Sequence, residues 1–151
     1  MGESSAETAT AVAAAVLSAF LCTAAAVWTV GLVLVDVRER RLPDALTLPA
    51  ALTAVVACWF EPRGWVGLVW AAAYLIAGRG FGGGDVKLAV SLGVVLAIMG
   101  GVEAVLAGML LASAFTAGFL LLRRAKTAPH GPSMLASAWI VGFASTFLLM
   151  V

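Results

Sequence analysis

Charge is the scarcest property of this chain. Only 11% of its 151 residues are Asp, Glu, Lys or Arg, against about 25% in an ordinary soluble domain. Hydrophobic residues make up 63%, more than a soluble fold of this length can hide. The composition therefore reads as a polytopic membrane protein in one domain, residues 1–151. A net charge of +1 supplies no global field that would draw nucleic acid. Cysteine is scarce too. Cys22 and Cys58 lie inside apolar stretches, and neither belongs to a CxxC pair, which removes zinc and redox motifs. Both read as small buried hydrophobes. A positive leading region is missing, because Met1-Gly2-Glu3-Ser4-Ser5-Ala6-Glu7 is acidic, so no cleaved secretory signal is expected. Ala6 stands where a myristoylation signal needs Ser or Thr. Alternation is missing as well. The apolar runs are continuous in Ala, Leu and Val, which excludes barrel strands and leaves helices.

What is present is a series of apolar stretches separated by short polar breaks. They run over residues 9–35, 45–60, 65–77, 85–99, 102–122 and 133–151. The fold class expected is all-α, with about six transmembrane helices. Pro43 suits a helix start, and Asp44 beside it is an N-cap candidate. Pro49 lies near the first turn of the second stretch, where it can bend it. The third stretch is short for a span. Residues 78–84 hold five glycines in seven, which breaks any helix, and Gly100-Gly101 reads as a turn. Small residues of the fifth stretch, Gly108, Ser113 and Gly118, would let helices approach closely. Trp59 and Trp65 read as interface anchors. No internal repeat is visible.

Six spans fix which loops share a side. Arg38, Arg40, Arg41, Arg79, Lys87, Arg123, Arg124 and Lys126 fall on one side, and Arg63 alone on the other. The positive-inside rule puts the eight in the cytoplasm. Asp36 and Asp85 then share that side, each at one end of an apolar stretch.

An ionisable residue at the mouth of a membrane segment is a functional-site candidate. Two carboxylates close together in a low-dielectric site share a proton, so one acts as base and the other as acid. The base takes a proton from water, which attacks a peptide carbonyl. The acid hydrogen-bonds the carbonyl oxygen and later protonates the leaving nitrogen. Gly82, Gly83 and Gly84, lacking Cβ, would let a substrate backbone approach Asp85 and pair with it. Plainer readings stand beside this one. Asp85 alone could be a helix cap, and Asp36 a solvated charge paired with Arg38 or Arg40. The glycine run lacks the GKS/T ending of a phosphate loop.

Gly82-Gly83-Gly84-Asp85 resembles the GxGD pattern of intramembrane aspartyl proteases. Asp36 followed by Leu42-Pro43-Asp44 resembles the first motif of type IV prepilin peptidases, and Gly84-Asp85-Val86-Lys87-Leu88 resembles the second. His130-Gly131-Pro132 is similar to the Phe-Gly-Pro segment in that family's last cytoplasmic loop. The resemblance covers most of residues 30–139. It implies an integral-membrane aspartic endopeptidase of the bacterial inner membrane. Such an enzyme cuts a short basic leader from prepilins or pseudopilins on the cytoplasmic side. It also implies Asp36 and Asp85 as the catalytic pair. Acidic Glu39 and Asp44 are candidates for leader contact. The four-cysteine N-terminal domain that accompanies N-methylation in the long form is not found here. That resembles the short, peptidase-only members of tight-adherence (Flp-type) pilus systems.

His130 in place of Phe reads as an exposed loop histidine. Lys87 lies about 200° around a helix from Asp85 and is expected to snorkel to lipid headgroups. Arg123, Arg124 and Lys126 read as a topology signal facing anionic lipid. No metal and no organic cofactor is expected, and the partners are pilin precursors and the lipid bilayer. Two other classes stay open. One is a small proton-coupled carrier relaying protons through Asp36 and Asp85, although carrier sites tend to lie at mid-membrane. The other is a non-catalytic scaffold of a secretion or pilus machine.

Overall fold

The computed structural model of the chain describes residues 2–77, 82–124 and 128–148. Residues 78–81 of the glycine loop, including Arg79, lie outside it, as do Lys126 and the last three residues. The described elements are helical. They run α1 Gly2–Glu39, α2 Asp44–Phe60, a 3₁₀ segment Pro62–Gly67, α3 Leu68–Ala77, α4 Gly83–Arg123 and α5 Gly131–Leu148. The chain divides into two compact units, residues 1–31 and 32–151. The first is the N-terminal length of α1, a single helix with no interior, so Cys22 is exposed rather than buried as expected. Cys58, in the second unit, is buried as expected.

Among the described residues three helices are long and apolar enough to cross a membrane, Glu7–Glu39, Gly83–Arg123 and Gly131–Leu148, so the six spans expected are not confirmed. The stretch expected over residues 65–77 loses its start to the 3₁₀ segment, which leaves α3 only 10 residues. At about 1.5 Å per residue that is about 15 Å, half a bilayer core. With 17 residues, α2 is also below span length. The stretches at 85–99 and 102–122 join in one element, α4, interrupted at Gly100 and Gly101. Gly101 has φ +68° and ψ −159°, a region open essentially to glycine alone. The expected turn is therefore there, and it reverses the chain. A Cβ on Gly108 would lie 2.6 Å from Leu96 Cδ1. Twelve residues of straight helix would hold those positions about 18 Å apart.

Packing in the second unit centres on α4, which meets α2, the 3₁₀ segment, α3 and α5. Its first limb supplies Leu88, Leu92, Val94 and Leu96 to the core, to which α3 adds Trp70 and α5 adds Met134 and Leu135. Two glycines allow backbone to touch backbone: a Cβ on Gly67 would collide with the Gly93 carbonyl. Of the small residues singled out in the sequence, Gly108 serves close packing against Leu96 and Trp70. Gly118 has nothing within 4 Å of a built Cβ, and Ser113 is exposed with its hydroxyl on Met109 O. Trp59 and Trp65 meet edge to face at 6.0 Å.

Candidate functional site

The last turn of α1 carries Asp36 into the interior of the second unit, where it is only 5% exposed. A buried carboxylate needs hydrogen-bond donors. One comes from far along the chain: Gly131 N–H donates to Asp36 Oδ2 at 3.1 Å. This bond requires glycine, because a Cβ on residue 131 would lie 2.7 Å from that same oxygen. After Glu39 the helix ends at Arg40, which has φ +50°. This left-handed residue, rare without glycine, turns the chain along the site toward Leu42, Pro43 and Asp44.

Asp85 enters from the other direction, in the first turn of α4. Its Oδ2 accepts the Gly82 N–H at 3.0 Å, the carboxylate half of a capping box. The cap reading of Asp85 is thus correct, and it does not remove the residue from the site. Gly84 fits against the loop after α1, where a Cβ would meet Leu42 Cβ at 2.6 Å and Leu42 O at 3.1 Å. The start of α4 therefore lies directly on the end of the Asp36 turn.

Together these segments line an open cleft of about 340 Å³, bounded by Asp36, Arg40, Arg41, Leu42, Asp44, Gly82, Gly83, Gly84, Asp85 and Lys87. The two carboxylates thus share one cleft, and the Asp85 charge is felt at Asp36, Tyr74 and His130. Of the residues predicted from sequence, Asp36, Asp85, the three glycines and Asp44 are brought together. Glu39 is not: it is exposed on the last turn of α1 and does not line the cleft. Lys87 corrects the expectation made for it. Rather than reaching for lipid, its Nζ donates to Asp44 Oδ1 at 2.6 Å. Nor does Asp44 cap α2 with its side chain; Pro43 occupies the N-cap.

His130 is a second correction. It is half-buried, not exposed, and held at both ring nitrogens. Tyr74 Oη lies 2.6 Å from Nε2, and Thr116 Oγ1 lies 2.6 Å from Nδ1. Burial holds the imidazole below the usual histidine range, and the Asp85 charge works in the opposite direction. Sequence reasoning missed Tyr74 and Thr116 altogether. One available signal was scarcity, since the chain has a single Tyr and a single His.

The model of the type IV leader peptidase family matches residues 23–122. Comparison with curated proteins and with solved structures gives no match. The matched region contains α2, α3, most of α4 and the half of α1 that bears Asp36, so both carboxylates and the whole cleft lining fall within it.

Proposed function

Because the chain belongs to the type IV leader peptidase family, we propose that it is an aspartic endopeptidase that removes the leader from pilin precursors. Asp36 and Asp85 are the catalytic pair. The observation that carries this reading is their meeting in one cleft, from separate helices, with Gly82 and Gly83 on its lining. One carboxylate, ionised, takes a proton from a water as that water attacks the scissile carbonyl carbon. The other, protonated, donates to the carbonyl oxygen. Collapse of the tetrahedral intermediate breaks the C–N bond, and the amine leaves with a proton.

The substrate class is a prepilin or pseudopilin of the Flp type, cut on the cytoplasmic side of the bacterial inner membrane. Arg40 and Arg41, which line the cleft, and Arg38 just before them in the chain support that sidedness through the positive-inside rule. Asp44 stands at the cleft as a contact for a basic leader, its charge shared with Lys87. The test is cleavage of a co-expressed Flp-type prepilin in membranes, read by gel shift. Wild type is expected to cut, and Asp36→Asn and Asp85→Asn, inserted to equal levels, are expected not to. Cleavage by both variants would end the dyad assignment. Proton flux that tracks these residues without proteolysis would favour a carrier, and intact pilus assembly in both variants a scaffold.

A further inference from the structure

Two elements converge on His130: α3 through Tyr74 and the second limb of α4 through Thr116. Thr116 Oγ1 donates its proton to Ala112 O at 3.0 Å, so toward His130 it acts as an acceptor. With that proton on Ala112 O, Nδ1 carries the ring hydrogen and donates to Thr116. Nε2 is left with its lone pair and accepts the Tyr74 hydroxyl. The ring is thereby fixed as the neutral Nδ1–H form, between α3 and the second limb of α4. Tyr74 is itself braced by fully buried Trp70, edge to face at 6.4 Å.

The next residue in the chain is Gly131, whose N–H reaches Asp36. Because that N–H follows directly on His130, movement of the His130 backbone moves it. We propose that His130 is a positioning residue of the catalytic site: gripped by Tyr74 and Thr116, it holds the Gly131 N–H on Asp36. The inference rests on Asp36 being catalytic for its consequence in turnover, but the clamp itself can be observed without turnover. Among the described residues, the titratable groups recorded against His130 are Asp85, whose charge reaches it, and Tyr74.

The experiment uses the full chain in lipid nanodiscs, labelled with ¹⁵N. His130 is the one histidine, so its ring-nitrogen signals carry no overlap from others. The expected spectrum at neutral pH is the neutral Nδ1–H tautomer; a dominant Nε2–H tautomer overturns the clamp. The Gly131 amide signal is then followed in Tyr74→Phe, Thr116→Val and Thr116→Ser. Tyr74→Phe and Thr116→Val are expected to move it toward its position in Asp36→Asn, and Thr116→Ser to leave it near wild type. A Gly131 signal that ignores both substitutions, in protein of unchanged helix content, overturns the proposal. In the cleavage assay the same two variants should lower kcat about five- to tenfold, with KM unchanged. Wild-type kcat in both also overturns the positioning role. Failure of the functional reading shows itself separately, as cleavage that survives Asp36→Asn.

Discussion

Replacing Gly131 by Ala tests the site at its tightest point. The added Cβ would sit 2.7 Å from Asp36 Oδ2, 3.3 Å from Asp36 Cγ and 3.4 Å from Leu42 Cδ2. No real Cβ tolerates the first of these, so the carboxylate must move away. Asp36 is 5% exposed and has little room to do so. The movement lengthens the 3.1 Å bond from Gly131 N–H and leaves a buried carboxylate oxygen poorly served. Losing the donor to a buried polar group costs about 1–3 kcal/mol. If that loss is felt in the transition state, it lowers kcat about 5- to 150-fold.

The assay is initial-rate cleavage of the prepilin in detergent or nanodiscs, with kcat and KM separated. KM is expected to stay near wild type, because Gly131 touches Asp36 and lines no part of the cleft. Gly118→Ala is the matched control, since nothing lies within 4 Å of its built Cβ. It should be neutral for turnover and stabilise its helix by about 0.5–1 kcal/mol. Wild-type kcat in Gly131→Ala, with the protein folded, would refute the role given to this contact.

Three further outcomes follow from the same geometry. Gly84→Ala forces a Cβ onto Leu42 backbone and should cost about 1–3 kcal/mol as overpacking, seen as an earlier denaturant midpoint; an unchanged midpoint would mean that the start of α4 is not seated there. A double-mutant cycle on Asp44→Asn and Lys87→Met should give only about 0.2–1 kcal/mol of coupling, because the side chains are 70% and 31% exposed; a coupling several times larger would show a desolvated pair. For His130, burial lowers the folded-state pKa, so the unfolded chain binds more protons below about pH 6.5. Its contribution to stability is whole above that pH, shrinks as pH falls toward the depressed folded value, and levels off below it. Melts at about pH 7.5 and pH 5.5 should show this loss in wild type and less of it in His130→Gln; equal losses would refute the assignment.

The elements of the site visible in the sequence were those whose chemistry is local. Asp36 and Asp85 stand out because a carboxylate ending an apolar stretch is costly there without a purpose, and a run of glycines beside one of them sharpens the signal. The turn at Gly100-Gly101 was likewise visible, since two glycines interrupt an otherwise continuous apolar run. What stayed hidden was pairing between segments. Lys87 was placed by its angle on α4 alone, and that angle says nothing of the loop after α1 that brings Asp44 to it. His130 was judged from its polar loop, while its partners come from α3 and from the second limb of α4. The six expected spans go unconfirmed for a related reason. Apolar length does not reveal that Pro62–Gly67 winds as a tighter 3₁₀ segment, and that winding shortens α3.

The two carboxylates are held in unlike ways, and the difference says where the geometry of the pair is set. Asp85 is tied to its own helix through Gly82 N–H, so it moves as α4 moves. Asp36 is tied to the start of α5 through Gly131 N–H, and α5 follows from the His130 loop that α3 and α4 grip. Two contacts relate the two assemblies directly at the cleft: the Lys87–Asp44 ion pair, which is largely exposed, and Gly84 packed against Leu42. A small displacement there changes the carboxylate separation without disturbing either hydrogen bond. Gly84→Ala should therefore cut turnover more than its stability cost alone explains, with the Gly131 amide signal left in place. Gly131→Ala should do the reverse, shifting the environment of Asp36 while Asp85 keeps its cap. If the two substitutions gave the same spectral signature, the site would be a single rigid body, not two assemblies meeting at the cleft.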